Sequence, residues 1–148
     1  MSGPTTTQTS SLAAARRHRL ELLTAIQAFE RALAAPARDP RWRELVAERL
    51  RALREAFGEH VVVTEGPEGL YAELLTNAPR LAHGVDALVR EHAVVLTKLD
   101  RLSQRMSTMD VERIRAKASD RLLLLARHRQ RGADLVYEAY ATDIGGET

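Results

Sequence analysis

The chain has 148 residues, a formal net charge of +2, 45% hydrophobic and 4% aromatic residues, and no cysteine. That length forms one domain with a real core and leaves little for a second, and a Leu, Ala and Val content with so few aromatics suits amphipathic helices better than strands. The lack of cysteine excludes disulfides, thiolate metal sites and Cys nucleophiles, so any metal must be held by His and carboxylates.

The first ten residues are polar and are expected to form a disordered tail, residues 11–146 being the folded domain. They lack the basic patch and apolar stretch of a secretory leader, which makes the cytoplasm the expected location. No window reaches the roughly 18 apolar residues of a membrane span. Even the run from Leu122 to Ala126 is flanked by Arg121 and Arg127.

The first helix is predicted from about Leu12 to Leu33. Ala15, Leu22, Ala25, Ile26, Phe29 and Leu33 recur at three- and four-residue spacing, and Ser10 or Ser11 is the expected N-cap. The break APARDP follows, in which Asp39 and Pro40 supply a cap and a first-turn proline, so helix two is expected to start near Pro40. It turns Trp42, Leu45, Val46, Leu50, Leu53 and Phe57 inward, then meets TEGPEG, where Gly66, Pro67 and Gly69 are expected to kink it before Leu70 to Leu75.

A break at Asn77 to Pro79 opens the third long helix, with the stripe Leu81, Val85, Leu88, His92, Val95, Leu99 and Leu102. MSTMD breaks the chain again, with Ser107 or Thr108 as the expected cap. The fourth long helix is predicted from about Val111 to Ile144, ended by Gly145 and Gly146. Short connections between long helices imply antiparallel neighbours, and so an all-α, up-down-up-down four-helix bundle.

Twenty of the 22 basic residues are arginines, grouped in RRHR, RWRELVAERLRALRE and RHRQR. Interleaved Glu44, Glu48 and Glu55, and the shortage of aromatics for base stacking, favour solvated helix faces over a nucleic-acid surface.

Four of the five histidines fall on the inward stripes. His18 lies three after Ala15 and four before Leu22; His60 lies three after Phe57; His92 is inside its stripe; His128 is three after Leu125 and seven before Leu135. In an antiparallel hairpin, residues equidistant from the turn lie side by side. His18 and His60 average to position 39, His60 and His92 to 76, and His92 and His128 to 110, all within or beside the breaks. The four rings are therefore expected at one level, where their nitrogens need partners that a metal supplies. His83 is nine residues from His92, about 180° around the helix, and is expected to face solvent.

With His18 in RRHRLELL, His60 in FGEHVVVTEG, the Glu91–His92 pair in LVREHAVVL and His128 in LLARHRQRGADL, the chain resembles the hemerythrin-like family of cation-binding bundles from about Leu12 to Gly146. That resemblance implies iron, usually as a bridged pair, binding or responding to dioxygen by storage, sensing, or handling of peroxide or nitric oxide. It also implies a ligand set of His18, His60, Glu65, His92, His128 and Asp134. The family's carboxylate four residues after the helix-two His is here Thr64, and Glu65 lies about 140° from His60 on an ideal helix; a π-bulge beside Gly66 would realign it. After His128 the acid positions hold Gly132 and Ala133, with Asp134 one step beyond, and Leu96 stands where helix three of the family can carry a second His.

Two-metal, single-metal and metal-free versions of the site all remain open, and Glu91 is either a partner of a ligand or solvated. Whether the protein is an enzyme stays equally open. The expected partner is a small molecule such as dioxygen, with no membrane, and nucleic-acid binding ranks third among the readings. The rival reading is a metal-free or single-metal helical bundle that acts as a protein-interaction module.

Overall fold

The computed structural model describes residues 3–146, with side chains described for residues 11–141. All ten residues of the expected tail therefore lie outside the residues with described side chains, and from Gly3 on their backbone belongs to the first helix, where a disordered tail was expected. The described chain is all-helical: α1 (Gly3–Ala34), α2 (Trp42–Glu65), α3 (Leu70–Asn77), α4 (Ala82–Arg105) and α5 (Val111–Gly146). Short 3-10 turns at Pro79–Leu81 and Met106–Thr108 precede α4 and follow it. No described helix is long and apolar enough to cross a membrane.

The helix starts differ from expectation in instructive ways. Ser11 lies inside α1, and its hydroxyl donates to the Glu68 carbonyl at 2.9 Å instead of capping its own helix. Asp39 accepts from the Arg41 amide at 2.9 Å, as a cap-like residue should, but α2 begins two residues beyond Pro40, at Trp42. At α5 the cap is neither Ser107 nor Thr108. Asp110 accepts the Arg113 N–H at 2.8 Å, because an N-cap serves the amide three positions on and the 3-10 turn through Thr108 moves that position downstream. The helical conformation of α5 runs through Gly145 and Gly146, two residues past the expected stop.

TEGPEG separates two helices where a single kinked one was expected. The Gly66 amide closes the last turn of α2 on the Val62 carbonyl at 3.0 Å, after which the backbone is extended. At Gly69 a Cβ would stand 2.5 Å from the Val63 carbonyl oxygen, so only glycine lets α3 turn back against the end of α2.

Contacts between helix ends tie the elements together. Near the start of α1, Ser11 meets Glu68, just past α2; Arg43 at the start of α2 donates to the Met106 carbonyl at 3.0 Å, just past α4. Arg115 at the start of α5 donates to the Leu33 and Ala35 carbonyls at the end of α1, both at 3.1 Å, and lies over the Trp42 ring. A guanidinium there also answers the negative end of the α1 dipole.

The core has two apolar parts. One gathers Leu22, Phe29, Leu50, Leu53, Phe57, Val95, Leu99, Ile114 and Leu125 from the four long helices. The other joins Leu70, Tyr71 and Leu74 of α3 to Leu81, Val85, Leu88, Leu135 and Ala139. Each fully buried Leu or Phe in these clusters contributes about 1.5–3 kcal/mol of transfer free energy. Between the two parts runs a layer of imidazoles.

Candidate metal centre

His60, His92 and His128 come together in that layer. Helical spacing explains it: His92 has Leu88 of one cluster four residues before it and Val95 of the other three residues after, while His128 follows Leu125 by three and precedes Leu135 by seven. His92 and His128 are buried to 1% exposure. The ring centroids lie 5.0 Å apart for His60 and His92, 5.4 Å for His60 and His128, and 4.7 Å for His92 and His128. Phe57 floors the layer, its ring 5.4 to 5.6 Å from each of the three. One ring nitrogen from each histidine falls within 4.8 Å of the other two.

The outer nitrogens of two rings are held by carboxylates. His128 Nδ1 lies 2.7 Å from Glu91 Oε1, and His92 Nδ1 lies 2.5 Å from Glu65 Oε2. Each Nδ1–H donates to its carboxylate, which leaves a lone pair on each Nε2 facing the centre. Glu91 is steadied in turn by an ion pair with Arg131. His60 Nε2 sits 3.3 Å from His128 Nε2 and donates to it. Tyr71 stacks on His92 at an interplanar angle of 16°, and its hydroxyl donates to His92 Nε2 at 3.3 Å.

Burial keeps these rings neutral. It lowers His60 to about 3, helped by the nearby His92 and His128 and by Arg19 and His18. It lowers His92 to about 4, with His128 adding to the shift and Glu91 opposing it. His128 is lowered by burial too, against the pull of Glu91. The Tyr71 phenol is pushed up by burial and by Glu65 and Glu91, and holds its proton. Neutral imidazoles are what a divalent ion requires, since it competes with protons for the same electrons; here it would take the place of the hydrogen bonds that Tyr71 and His60 make to Nε2 of His92 and His128, with the His60 proton moved to Nδ1.

The remaining expected ligands lie elsewhere. His18 stays on the seam between α1 and α2, its Nδ1 3.2 Å from Glu21 and 3.7 Å from Glu59, because Leu22, one turn on, fills the inward position completely. Asp134 is exposed and accepts from the Gln130 amide at 2.9 Å; it shares a turn with Leu135, which takes the buried place. Thr64, where the family carries its carboxylate, returns its hydroxyl to the His60 carbonyl at 2.8 Å. α2 keeps regular α-helical geometry to Glu65, with no π-bulge, so Glu65 reaches the outer nitrogen of His92 on α4 and not the face of His60. His83 is exposed.

Tyr71 is the residue that sequence reasoning passed over. Its signal was an aromatic between Leu70 and Leu74 in a short apolar segment, but with α3 treated as a continuation of α2 nothing aimed it at the histidines. Tyr140 is occupied with Glu73 Oε2 at 2.8 Å, and burial with that carboxylate raises it to about 12. Tyr137 is exposed.

Beside His60 and His128 opens a cavity of about 50 Å³, walled by Leu12, Ala15, Leu22, Thr64, Leu70, Tyr71 and Val136, with Arg19 and Arg129 at its margin. That is well above the roughly 10–15 Å³ one water needs, and its walls are mostly apolar. Comparison with protein-family models, with curated proteins and with solved structures yields no match.

Proposed function

We propose that the chain is a metal-binding bundle of the hemerythrin-like type, with its long helices antiparallel in up-down-up-down order, holding iron through Nε2 of His60, His92 and His128. The observation that carries this reading is the pairing of convergent Nε2 atoms with outer Nδ1 atoms on Glu65 and Glu91. Metal-binding histidines almost always pass their second N–H to a carboxylate or carbonyl, which fixes the tautomer and raises the basicity of the ligating nitrogen. The contacts between opposite helix ends support the antiparallel order.

A single ion is the stoichiometry this geometry favours, because His18 and Asp134 are engaged elsewhere. Iron, when bound with positions left open, supplies the capacity to take up dioxygen, peroxide or nitric oxide. The chain's own part is to shape and dry that position. Phe57, Leu22 and Leu125 exclude water, the cavity admits a small molecule, and Tyr71 keeps a proton at its hydroxyl beside His92. With an ion held at His92 Nε2, the Tyr71 hydroxyl, which donates to that nitrogen in the empty site, would be free to donate into the cavity it lines.

One observation favours a second reading, a metal-free bundle acting as an interaction module. Both nitrogens of His92 and His128 and Nε2 of His60 already have protein partners, so the layer is satisfied without an ion. Metal content decides between the two. Protein grown with iron and purified without chelator is analysed by plasma mass spectrometry beside a His60→Ala/His128→Ala variant. About one iron per chain that disappears in the variant supports the metal site; a folded wild-type protein without metal overturns it and leaves the interaction module.

A further inference from the structure

The only two lysines of the chain, Lys98 and Lys117, line the same cleft. It lies between the end of α4 and the start of α5, with a volume of about 650 Å³. Lys98, Arg101 and Arg105 face it from α4 at three- and four-residue spacing, and Arg113, Lys117 and Arg121 face it from α5 at four-residue spacing. Six cations thus meet two acids, Asp110 and Asp120, an excess of four positive charges. Asp110 is engaged in capping α5.

The charge is uncompensated. Elsewhere on the surface several arginines do find a carboxylate, Arg54 with Asp100, Arg41 with Glu44, Arg115 with Glu112 and Arg131 with Glu91. Among the described residues, none of the six cleft cations has a carboxylate at ion-pair distance. Arg121 bridges the helices by donating to the Lys98 carbonyl at 3.3 Å and the Lys117 carbonyl at 3.4 Å, so part of the cluster is held in place before any ligand arrives. Burial lowers its pKa, and repulsion from Arg101 and Arg105 lowers it further against the pull of Asp120. Like charges gathered without partners raise the energy of the empty cleft and favour an anion that neutralises several at once.

The dimensions select the anion. At 1.5 Å rise per residue, the three cations on each helix span about 10–12 Å, and the cleft centre near Arg101 lies about 14 Å along α4 from His92. That reach suits a short chain of phosphates and not a duplex. No aromatic lines the cleft, so nothing is offered for a base to stack on. Guanidinium forks and ammonium groups in two facing rows match phosphate oxygens presented on two sides of a chain.

We propose that this cleft binds a short polyphosphate, free or as the tail of a nucleotide, independently of the histidine layer. The test is isothermal titration of the full chain with inorganic triphosphate at low and high salt, with ATP in a parallel arm. One site per chain, weakening as salt rises because each contact releases counterions, is the expected result. Lys98→Gln/Lys117→Gln and Arg101→Gln/Arg105→Gln each weaken it by about tenfold or more, the scale of lost charged hydrogen bonds, while Arg16→Gln/Arg17→Gln on the exposed face of α1 leaves it unchanged. Equal affinity for triphosphate and ATP assigns recognition to the phosphates, and tighter ATP binding assigns it to the nucleotide. No triphosphate retained in equilibrium dialysis, equal loss in the α1 variant, or binding of a single-stranded oligonucleotide without triphosphate binding overturns the proposal.

Discussion

Glu91 on α4 holds His128 on α5, with Oε1 2.7 Å from Nδ1 across the helix interface. The carboxylate decides which nitrogen of the ring faces the centre, although sequence spacing alone left Glu91 open to being a solvated neighbour of His92. Its replacement by glutamine keeps the shape and removes the charge. Glu91→Gln is expected to weaken metal affinity about 10–100-fold, the usual effect of losing such a partner, with helical content unchanged. Competition against a chromophoric chelator reads this directly; an unchanged affinity in both Glu91→Gln and Glu65→Gln would mean that the carboxylates do not position the rings.

Tyr71→Phe separates stacking from hydrogen bonding. The ring stays against His92, but the hydroxyl that satisfies Nε2 is gone. Urea unfolding of the metal-free variant should show a loss of about 1 kcal/mol, the net worth of one hydrogen bond. The loss should shrink in metal-loaded protein, where Nε2 has another partner. An identical loss in both forms would argue against Nε2 of His92 as a ligand.

Acid should destabilise the metal-free protein through its histidines. An unfolded histidine titrates near 6.5, whereas in the folded chain burial lowers His60 to about 3 and His92 to about 4. Above pH 6.5 the rings are neutral in both states and stability is full. As the pH falls from 6.5 toward 4, the unfolded chain takes up protons that the folded one refuses, and stability drops by about 1.4 kcal/mol per ring per pH unit. Chemical unfolding at pH 7 and pH 5 measures the slope; equal midpoints would show the rings already protonated or solvated in the folded state.

Phe57 has no exposed surface and touches all three imidazoles. Phe57→Ala leaves a hole beneath the layer and is expected to cost about 3–5 kcal/mol, including the cavity it opens. Thermal melting of the metal-free protein gives the value. A cost below about 1 kcal/mol would mean that the rings collapse into the space without penalty.

The long helices were legible because Leu and Val repeat at helical spacing and proline, glycine and Asp-Pro mark the breaks. The meeting of His60, His92 and His128 followed from the same arithmetic, since a midpoint in a short connection sets the level of a residue to within a turn. Orientation within that turn was less legible. His18 and Asp134 each sit close in sequence to a leucine that takes the inward place, and stripe-counting does not say which of two neighbours wins. Tyr71 escaped because the close approach at Gly69 splits one expected helix into two and folds the second back, a tertiary event with no periodic signature. The lysine cleft escaped because its six cations come from two helices, each of which alone reads as an ordinary charged face.

The imidazole layer divides the apolar interior, and this restrains the helices against sliding. Were α5 to slip by one turn along α4, Leu125 or a neighbour would come opposite Glu91 and His128 would enter a wall of leucines, stranding two polar groups at a cost of about 1–3 kcal/mol each. An unbroken leucine interior has no such penalty and tolerates several alignments. The three histidines therefore act as a ruler for the bundle whether or not an ion sits among them, and replacing one alone should disturb alignment more than replacing all three by well-packed apolar residues.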